Sequence, residues 1–209
     1  MKFVKDGEIF SISNYKMLLG IRGDSRRLET LERFQDVLSM DITYKGKPVD
    51  ALCVDLLGNN PIVQLILPEK KAFDKSSNEY RTSDIRNFLS STEFRGCFEK
   101  KFLEHVIPTE VHTEDYTTED MFYLLSHEEV EIEGPKYFGT NMHTRKLDGF
   151  NETKYSRVRF INKSAYNWWL RTAVWKYTVY AGCVGYHGYV GYDNVNFDNL
   201  SCFPVCSIG

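Results

Sequence analysis

A chain of 209 residues, 42% of them hydrophobic, is long enough to bury one large core or two small ones. Its 26 basic and 29 acidic side chains leave a formal charge of −3, which gives no clustered basic field for a phosphate backbone and excludes nucleic acid as the expected partner. The opening MKFVKDGEIF has no apolar run of signal-peptide length and nothing later approaches a membrane span, so neither a signal peptide nor membrane insertion is expected.

Glu8 to Ser13 alternates apolar and polar residues as a strand would, and Asp24 or Ser25 can cap a helix carrying Leu28, Leu31, Phe34, Val37 and Leu38 on one stripe. Strand-like runs over Pro48 to Leu57 and Ile62 to Leu67 flank the turn signal Gly58-Asn59-Asn60-Pro61 and can pair. In TSDIRNFLSSTEFRGCFEKKFLEHVI, Ile85, Phe88 and Leu89, then Phe98, Phe102 and Leu103, recur at helical spacing. This predicts two short helices broken near Gly96, with Thr82 or Ser83 as the first N-cap. Met121 to Ser126 reads as a short buried strand, and Ser126 with Glu129 forms a capping box for a single turn. Beyond Gly134, Tyr, Asn, Gly and Trp replace leucine and glutamate, and strand pieces such as Val158 to Ile161 and Phe203 to Ile208 are separated by Gly- and Asn-containing turns. The expected class is α+β, with short helices in the first two thirds and irregular antiparallel β structure toward the C-terminus. Residues 1–75 form a strand and helix portion that can belong to the same domain as 76–209, which contains a binding-type segment at 174–199.

Five cysteines, an odd number at irregular spacing, argue against a disulfide framework and read as buried thiols. Cys202 and Cys206 would need further ligands to hold a structural zinc ion, and none accompanies them, so no metal and no cofactor is expected. The acidic pairs Glu114-Asp115, Glu119-Asp120 and Glu128-Glu129 lack the ligand periodicity of a calcium loop and read as solvated loop. None of His105, His112, His127, His143 and His187 neighbours a Ser or Cys in a nucleophile motif.

From Trp175 the chain runs WKYTVYAGCVGYHGYVGYDNVNFDN. Tyr offers a large contact area at low rotamer cost with a polar tip, while Asn, Asp and Gly supply adaptable hydrogen bonds and turns, as in recognition surfaces. The candidate ligand-binding residues are Trp175, Tyr177, Tyr180, Tyr186, His187, Tyr189, Tyr192, Asp193, Asn194, Asn196 and Asp198, and no catalytic residue is expected. The plainer alternative is that tyrosines at period two line one face of ordinary strands while Asn and Gly make the turns. Asn, Tyr, His and Asp also share codons that differ only in the first base, so an Asn codon scrambled at its adenines yields this set; Trp175 and Lys176 fall outside it.

NWWLR (Asn167 to Arg171), a Val-x-x-x-Gly spacing across Val184 to Gly188, and the closing Pro204 with Ile208 resemble the end of a bacterial and phage domain family of unassigned function. Its members carry a WWLRS-type motif, a Gly- and Asn-rich stretch and a closing Val-Arg-Pro-Ala-Leu-x-Ile. Upstream, YRTSDIRNFL (Tyr80 to Leu89) is similar to that family's Ser-Asp-Ile-Arg-x-Trp-Leu element, and FYLLSHEEV (Phe122 to Val130) to its Phe-Leu-Leu-Ser-x-Glu-Glu element. The first seventy residues match loosely, and Cys202-Phe203-Pro204 stands where the family has Val-Arg-Pro, so the family arginine is replaced. The resemblance implies a C-type-lectin-like fold, shared with formylglycine-generating-type domains and with the variable proteins of diversity-generating retroelements. In the latter a reverse transcriptase alters adenines in a C-terminal repeat, and the altered side chains form a ligand-binding face on a rigid scaffold. Trp168 and Trp169 are expected to anchor the core beneath such a face, with Arg171 paired to a buried acceptor.

Together these features predict a non-catalytic display protein that binds a protein or glycan, such as one on a cell surface, through side chains from Val174 to Asn199. The cytoplasm or a phage virion is the expected location. Two alternatives stay open. One is an enzyme on the same fold with Cys202 and Cys206 as a redox or formylglycine-type pair; the other is a structural subunit whose tyrosines pack against copies of itself.

Overall fold

The computed structural model describes residues 1–5, 8–56, 58, 60–113, 115–130, 145–150 and 154–209. Strands β1 (Lys2–Lys5) and β2 (Glu8–Phe10) pair antiparallel, with Phe3 opposite Phe10. The strand expected to reach Ser13 stops earlier, because the Ser11 hydroxyl accepts a bond from the Asn14 amide and caps α1 (Ile12–Arg22). Gly23, in the left-handed region, ends α1, and the Asp24 carboxylate caps α2 (Ser25–Arg33) as expected. The predicted stripe is then interrupted at Phe34, and α3 (Gln35–Leu38) runs separately.

A tight hairpin of β3 (Thr43–Tyr44) and β4 (Lys47–Pro48) turns through Lys45 and Gly46, both at positive φ. It leads into β5 (Asp50–Asp55), which pairs antiparallel with β6 (Ile62–Ile66) as the sequence predicts; Leu57 and Asn59 of the expected strand end and turn lie outside the described residues. Ser83 caps α4 (Asp84–Ser90), Ser91 caps α5 (Thr92–Arg95), and α6 (Lys100–Leu103) follows, so the two expected helices are three. The added break belongs to Ser91, whose hydroxyl accepts from the Phe94 amide and opens a new helix where α4 stops.

After β7 (Val106–Ile107) comes a hairpin that the sequence pattern does not signal, β8 (Thr109–His112) with β9 (Thr117–Asp120). Asp120, expected in a solvated loop, is instead buried at the end of β9 and paired with Arg86 at 2.8 Å. Glu114, which belongs to another of the acidic pairs, lies outside the described residues. Met121 to Ser126 does not form the predicted strand: only Tyr123 makes a β-bridge, to Val205, although Phe122 to Ser126 are buried as expected. Its backbone is satisfied piecemeal, Leu124 N–H donating to the Tyr80 hydroxyl at 3.2 Å and Leu125 C=O accepting from Arg171 N–H at 2.8 Å, which removes the need for a ladder. Helix α7 (His127–Val130) begins with the predicted capping box: Ser126 N–H donates to Glu129 Oε2 at 2.7 Å and Glu129 N–H to Ser126 Oγ at 3.3 Å.

The last part of the chain is β structure, as expected: β10 (Arg159–Ile161) with β11 (Ser164–Tyr166), then β12 (Trp168–Ala173), β13 (Tyr180–Val184), β14 (Val190–Asn194) and β15 (Val205–Ile208). The β structure is not confined there, however, because the largest sheet draws four of its six strands from the first 66 residues. Its order is β2-β1-β5-β6-β15-β7, with β1 parallel to β5 and the other pairs antiparallel. Residues 1–75 and 76–209 therefore share one sheet, with β15 held between β6 and β7. The fold is mixed α+β, with several antiparallel sheets and a few short helices. Among the described residues no helix is long and apolar enough to cross a membrane.

Two of the motifs that carry the resemblance, NWWLR and FYLLSHEEV, meet in one buried polar knot. Arg171 from β12 donates to Glu129 Oε2 at 2.6 Å and Oε1 at 3.1 Å, to Leu124 C=O at 2.7 Å and to His112 C=O at 3.1 Å. Burial pulls the guanidinium down, but the Glu129 carboxylate outweighs it and holds Arg171 above its ordinary range. The buried acceptor expected for Arg171 is thus Glu129 of the Ser-x-x-Glu capping box. Trp168 and Trp169 are fully buried as expected, and their indole N–H groups donate to Arg157 C=O at 3.1 Å and Lys71 C=O at 2.8 Å.

Candidate functional site

Strands β12, β13 and β14 form a three-stranded antiparallel sheet, with Trp168 opposite Val184 and Gly182 opposite Tyr192. Alternation puts Tyr180, Gly182, Tyr192 and Asn194 on one face, and because Gly182 has no side chain, Tyr180 and Tyr192 approach edge to face at 5.3 Å. Tyr177 joins them at 6.3 Å from Tyr180. The 174–180 loop is pinned from below by Asn78, whose amide nitrogen lies 3.2, 3.0 and 2.9 Å from the carbonyl oxygens of Val174, Tyr177 and Tyr180.

The turn between β13 and β14 carries a second aromatic group. Gly188 N–H donates to Gly185 C=O at 2.7 Å, placing Tyr186 and His187 at the tip with ring centroids 4.7 Å apart, and Tyr189 lies 5.1 Å from His187. Tyr186, Tyr189 and Tyr192 are 59%, 57% and 48% exposed. Gly188 is at φ +86°, and a Cβ there would sit 1.9 Å from the Lys154 carbonyl oxygen, so only glycine lets this turn lie against the 154–157 turn. Arg157 locks the contact by donating to Gly188 C=O at 2.8 Å.

Between this turn and the β10–β11 hairpin lies a groove of about 290 Å³, lined by Lys154, Tyr155, Val158, Phe160, Ala165, Tyr186 and His187. Tyr155 and Phe160, 72% and 55% exposed, extend the aromatic surface beyond the stretch singled out in the sequence. Lys154 Nζ donates to Tyr189 Oη at 3.1 Å and lies 4.3 Å from that ring's centroid; the hydrogen bond holds the ammonium above its ordinary range.

The predicted residues thus divide. Tyr177, Tyr180 and Tyr192 form one aromatic group and Tyr186, His187 and Tyr189 another, while Trp175 is exposed beside Lys176. Asp193 and Asn194 are half-buried and serve the backbone: Asp193 Oδ1 accepts from Asn194 N–H at 2.8 Å and Asn194 Oδ1 from Asn196 N–H at 3.2 Å. Asp193 also points to the face of Ala181 and Cys183, opposite the tyrosines. Asn196 and Asp198 are exposed in the segment that follows β14.

The family model described as a domain of unknown function, DUF6273, matches residues 58–207. The chain belongs to the DUF6273 family. No curated protein and no solved structure matches it. The match runs from the turn before β6 into β15, so both aromatic groups and the Arg171–Glu129 pair fall inside the DUF6273 region, while β1 to β5 and α1 to α3 precede it.

The DUF6273 region holds a second cavity that nothing in the sequence signals, about 470 Å³ and lined among others by Asn78, Arg81, Tyr116, Glu128, Arg171 and Thr172. Its lining residues come from four separate stretches of chain, so no local pattern announces them. Arg81 already pairs with Glu79 at 2.7 Å and covers the Tyr116 ring, and Arg171 is saturated by Glu129. Beside it, burial holds His127 below the ordinary imidazole range against the opposing pull of Glu128. Among the described residues no three His, Cys, Asp or Glu side chains come together as a metal site would need. Cys53, Cys183, Cys202 and Cys206 are buried and unpaired. Burial pushes the Cys202 and Cys206 thiols far above their ordinary range, and burial with the Asp193 carboxylate pushes Cys183 up to about 12.

Proposed function

We propose that this protein is a non-catalytic recognition domain that binds a protein or glycan, as on a cell surface, through the aromatic face of β13, β14 and the 185–189 turn. The observation that carries this is distribution: nine of the twelve exposed large apolar side chains among the described residues fall between Tyr155 and Phe197. Exposed aromatic side chains concentrated in one part of an otherwise well-buried fold point to an interaction site. Buried, protonated thiols support the non-catalytic reading, since a redox pair needs accessible thiolate. The finer reading, a C-type-lectin-like scaffold similar to the variable proteins of diversity-generating retroelements and acting in the cytoplasm or on a phage particle, is supported by the motif order and by the codon relationship of Asn, Tyr, His and Asp. The coding DNA tests it: a downstream near-repeat differing only at adenines, beside a reverse-transcriptase gene, is expected, and a fixed single copy would remove the retroelement arm.

For binding itself, the purified protein is used to select from a displayed random peptide library and is applied to a glycan array. The expected result is a binder lost on combined alanine substitution at Tyr186, Tyr189 and Tyr192. Binders indifferent to that variant, or a tyrosine-dependent homodimer in place of any binder, would overturn the reading.

A further inference from the structure

The groove between the β10–β11 hairpin and the 185–189 turn takes five of its seven lining residues from 154–165, outside the Tyr- and Asn-rich stretch. Its volume of about 290 Å³ lies at the small end of ligand pockets and suits one side chain better than an oligosaccharide. Val158, Phe160 and Ala165 give the groove a wholly apolar part that suits a hydrocarbon or aromatic side chain, and Lys154, Tyr155, Tyr186 and His187 complete its lining. Both walls are held before any ligand arrives, by the Gly188 approach to Lys154 and by the Arg157 bond to Gly188, so binding would cost little ordering. At the rim stands Lys154, its ammonium over the Tyr189 and Tyr155 rings at 4.3 and 5.4 Å, with no carboxylate partner among the described residues.

We propose that this groove takes one apolar side chain of a partner protein whose adjacent residue is an aspartate or glutamate, the carboxylate pairing with Lys154. The proposal rests on the recognition function above and narrows its partner to a protein segment. The apolar lining recognises the side chain, and the Lys154 ammonium recognises its acidic neighbour.

The test uses the full chain, ¹⁵N-labelled, titrated to millimolar concentration with three capped tetrapeptides centred on Phe-Asp, Phe-Asn and Ala-Asp, and with methyl glycosides. Phe-Asp is expected to shift the amides of Lys154 to Phe160 and Gly185 to Val190. Phe-Asn should bind up to about fivefold more weakly, as an exposed ion pair allows, and Ala-Asp more weakly still. Lys154→Gln should erase the difference between Phe-Asp and Phe-Asn. Equal binding of Phe-Asp and Phe-Asn, absence of shifts at these amides, or shifts with the glycosides alone would overturn the proposal. If tyrosine-dependent binders still emerge from the library or array, only this inference fails; if none emerges, the recognition reading fails with it.

Discussion

Strand β12 and the β13–β14 hairpin lie in one sheet and both carry aromatic side chains, yet β12 sends Trp168, Trp169 and Arg171 into the core while the hairpin leaves Tyr186, Tyr189 and Tyr192 in water. The difference lies in where the polar atoms go. Both indole N–H groups of β12 end on backbone carbonyls, and the guanidinium ends on a carboxylate and two more carbonyls. On the hairpin, Tyr189 shares its hydroxyl with Lys154, and the tip rings of Tyr186 and His187 pack on each other. Aromatic content alone therefore does not separate scaffold from contact surface; in β12 full burial goes with a complete set of polar partners, whereas the hairpin rings stay exposed.

Breaking the scaffold side should cost most. Glu129→Ala strands Arg171 as a buried unpaired charge and is expected to lower unfolding free energy in urea by about 3–5 kcal/mol. Replacing both partners by Met and Leu should restore most of that loss, because the burial penalty and the attraction disappear together. Gly188→Ala sits where the two regions meet. It must leave the left-handed region or displace the Lys154 carbonyl, and a loss of about 1–3 kcal/mol is expected in the same assay, with amide shifts on both walls of the groove. Ser83→Ala removes the α4 cap and should cost about 1 kcal/mol without moving any hairpin amide.

The smallest effect is a pH dependence of the scaffold. Burial lowers the His127 pKa in the folded state, so its contribution is fully present above the ordinary imidazole range and is lost as pH falls through that range toward the folded value. Urea midpoints measured at falling pH should drop less steeply in His127→Asn than in the parent.

How far the sequence exposed this division varies with the range of the interactions. Caps are local, so Asp24, Ser83 and the Ser126–Glu129 box were readable from spacing, as was the pairing of β5 with β6 across a short turn. Ser91 was not, because a helix that stops and restarts keeps its helical spacing. The Met121 to Ser126 run looked like a strand because it is apolar and buried, but its hydrogen bonds go to Tyr80 and to Arg171 in β12, which no local pattern encodes. The same holds for the groove: the tyrosines of the hairpin stand out in the sequence, whereas Tyr155, Phe160 and Lys154 join them only through the docking of Gly188. The half-buried turn role of Asp193 and Asn194 followed the plainer alternative, in which Asn and Asp build turns.

The most direct measurement is the urea unfolding free energy of the combined Tyr186→Ala, Tyr189→Ala and Tyr192→Ala variant against the parent. If these rings exist for contact with a partner, the three exposed substitutions together cost under about 1.5 kcal/mol. A loss approaching the roughly 3–5 kcal/mol of a single core aromatic deletion would make the rings part of the packing and contradict the division drawn between β12 and the hairpin.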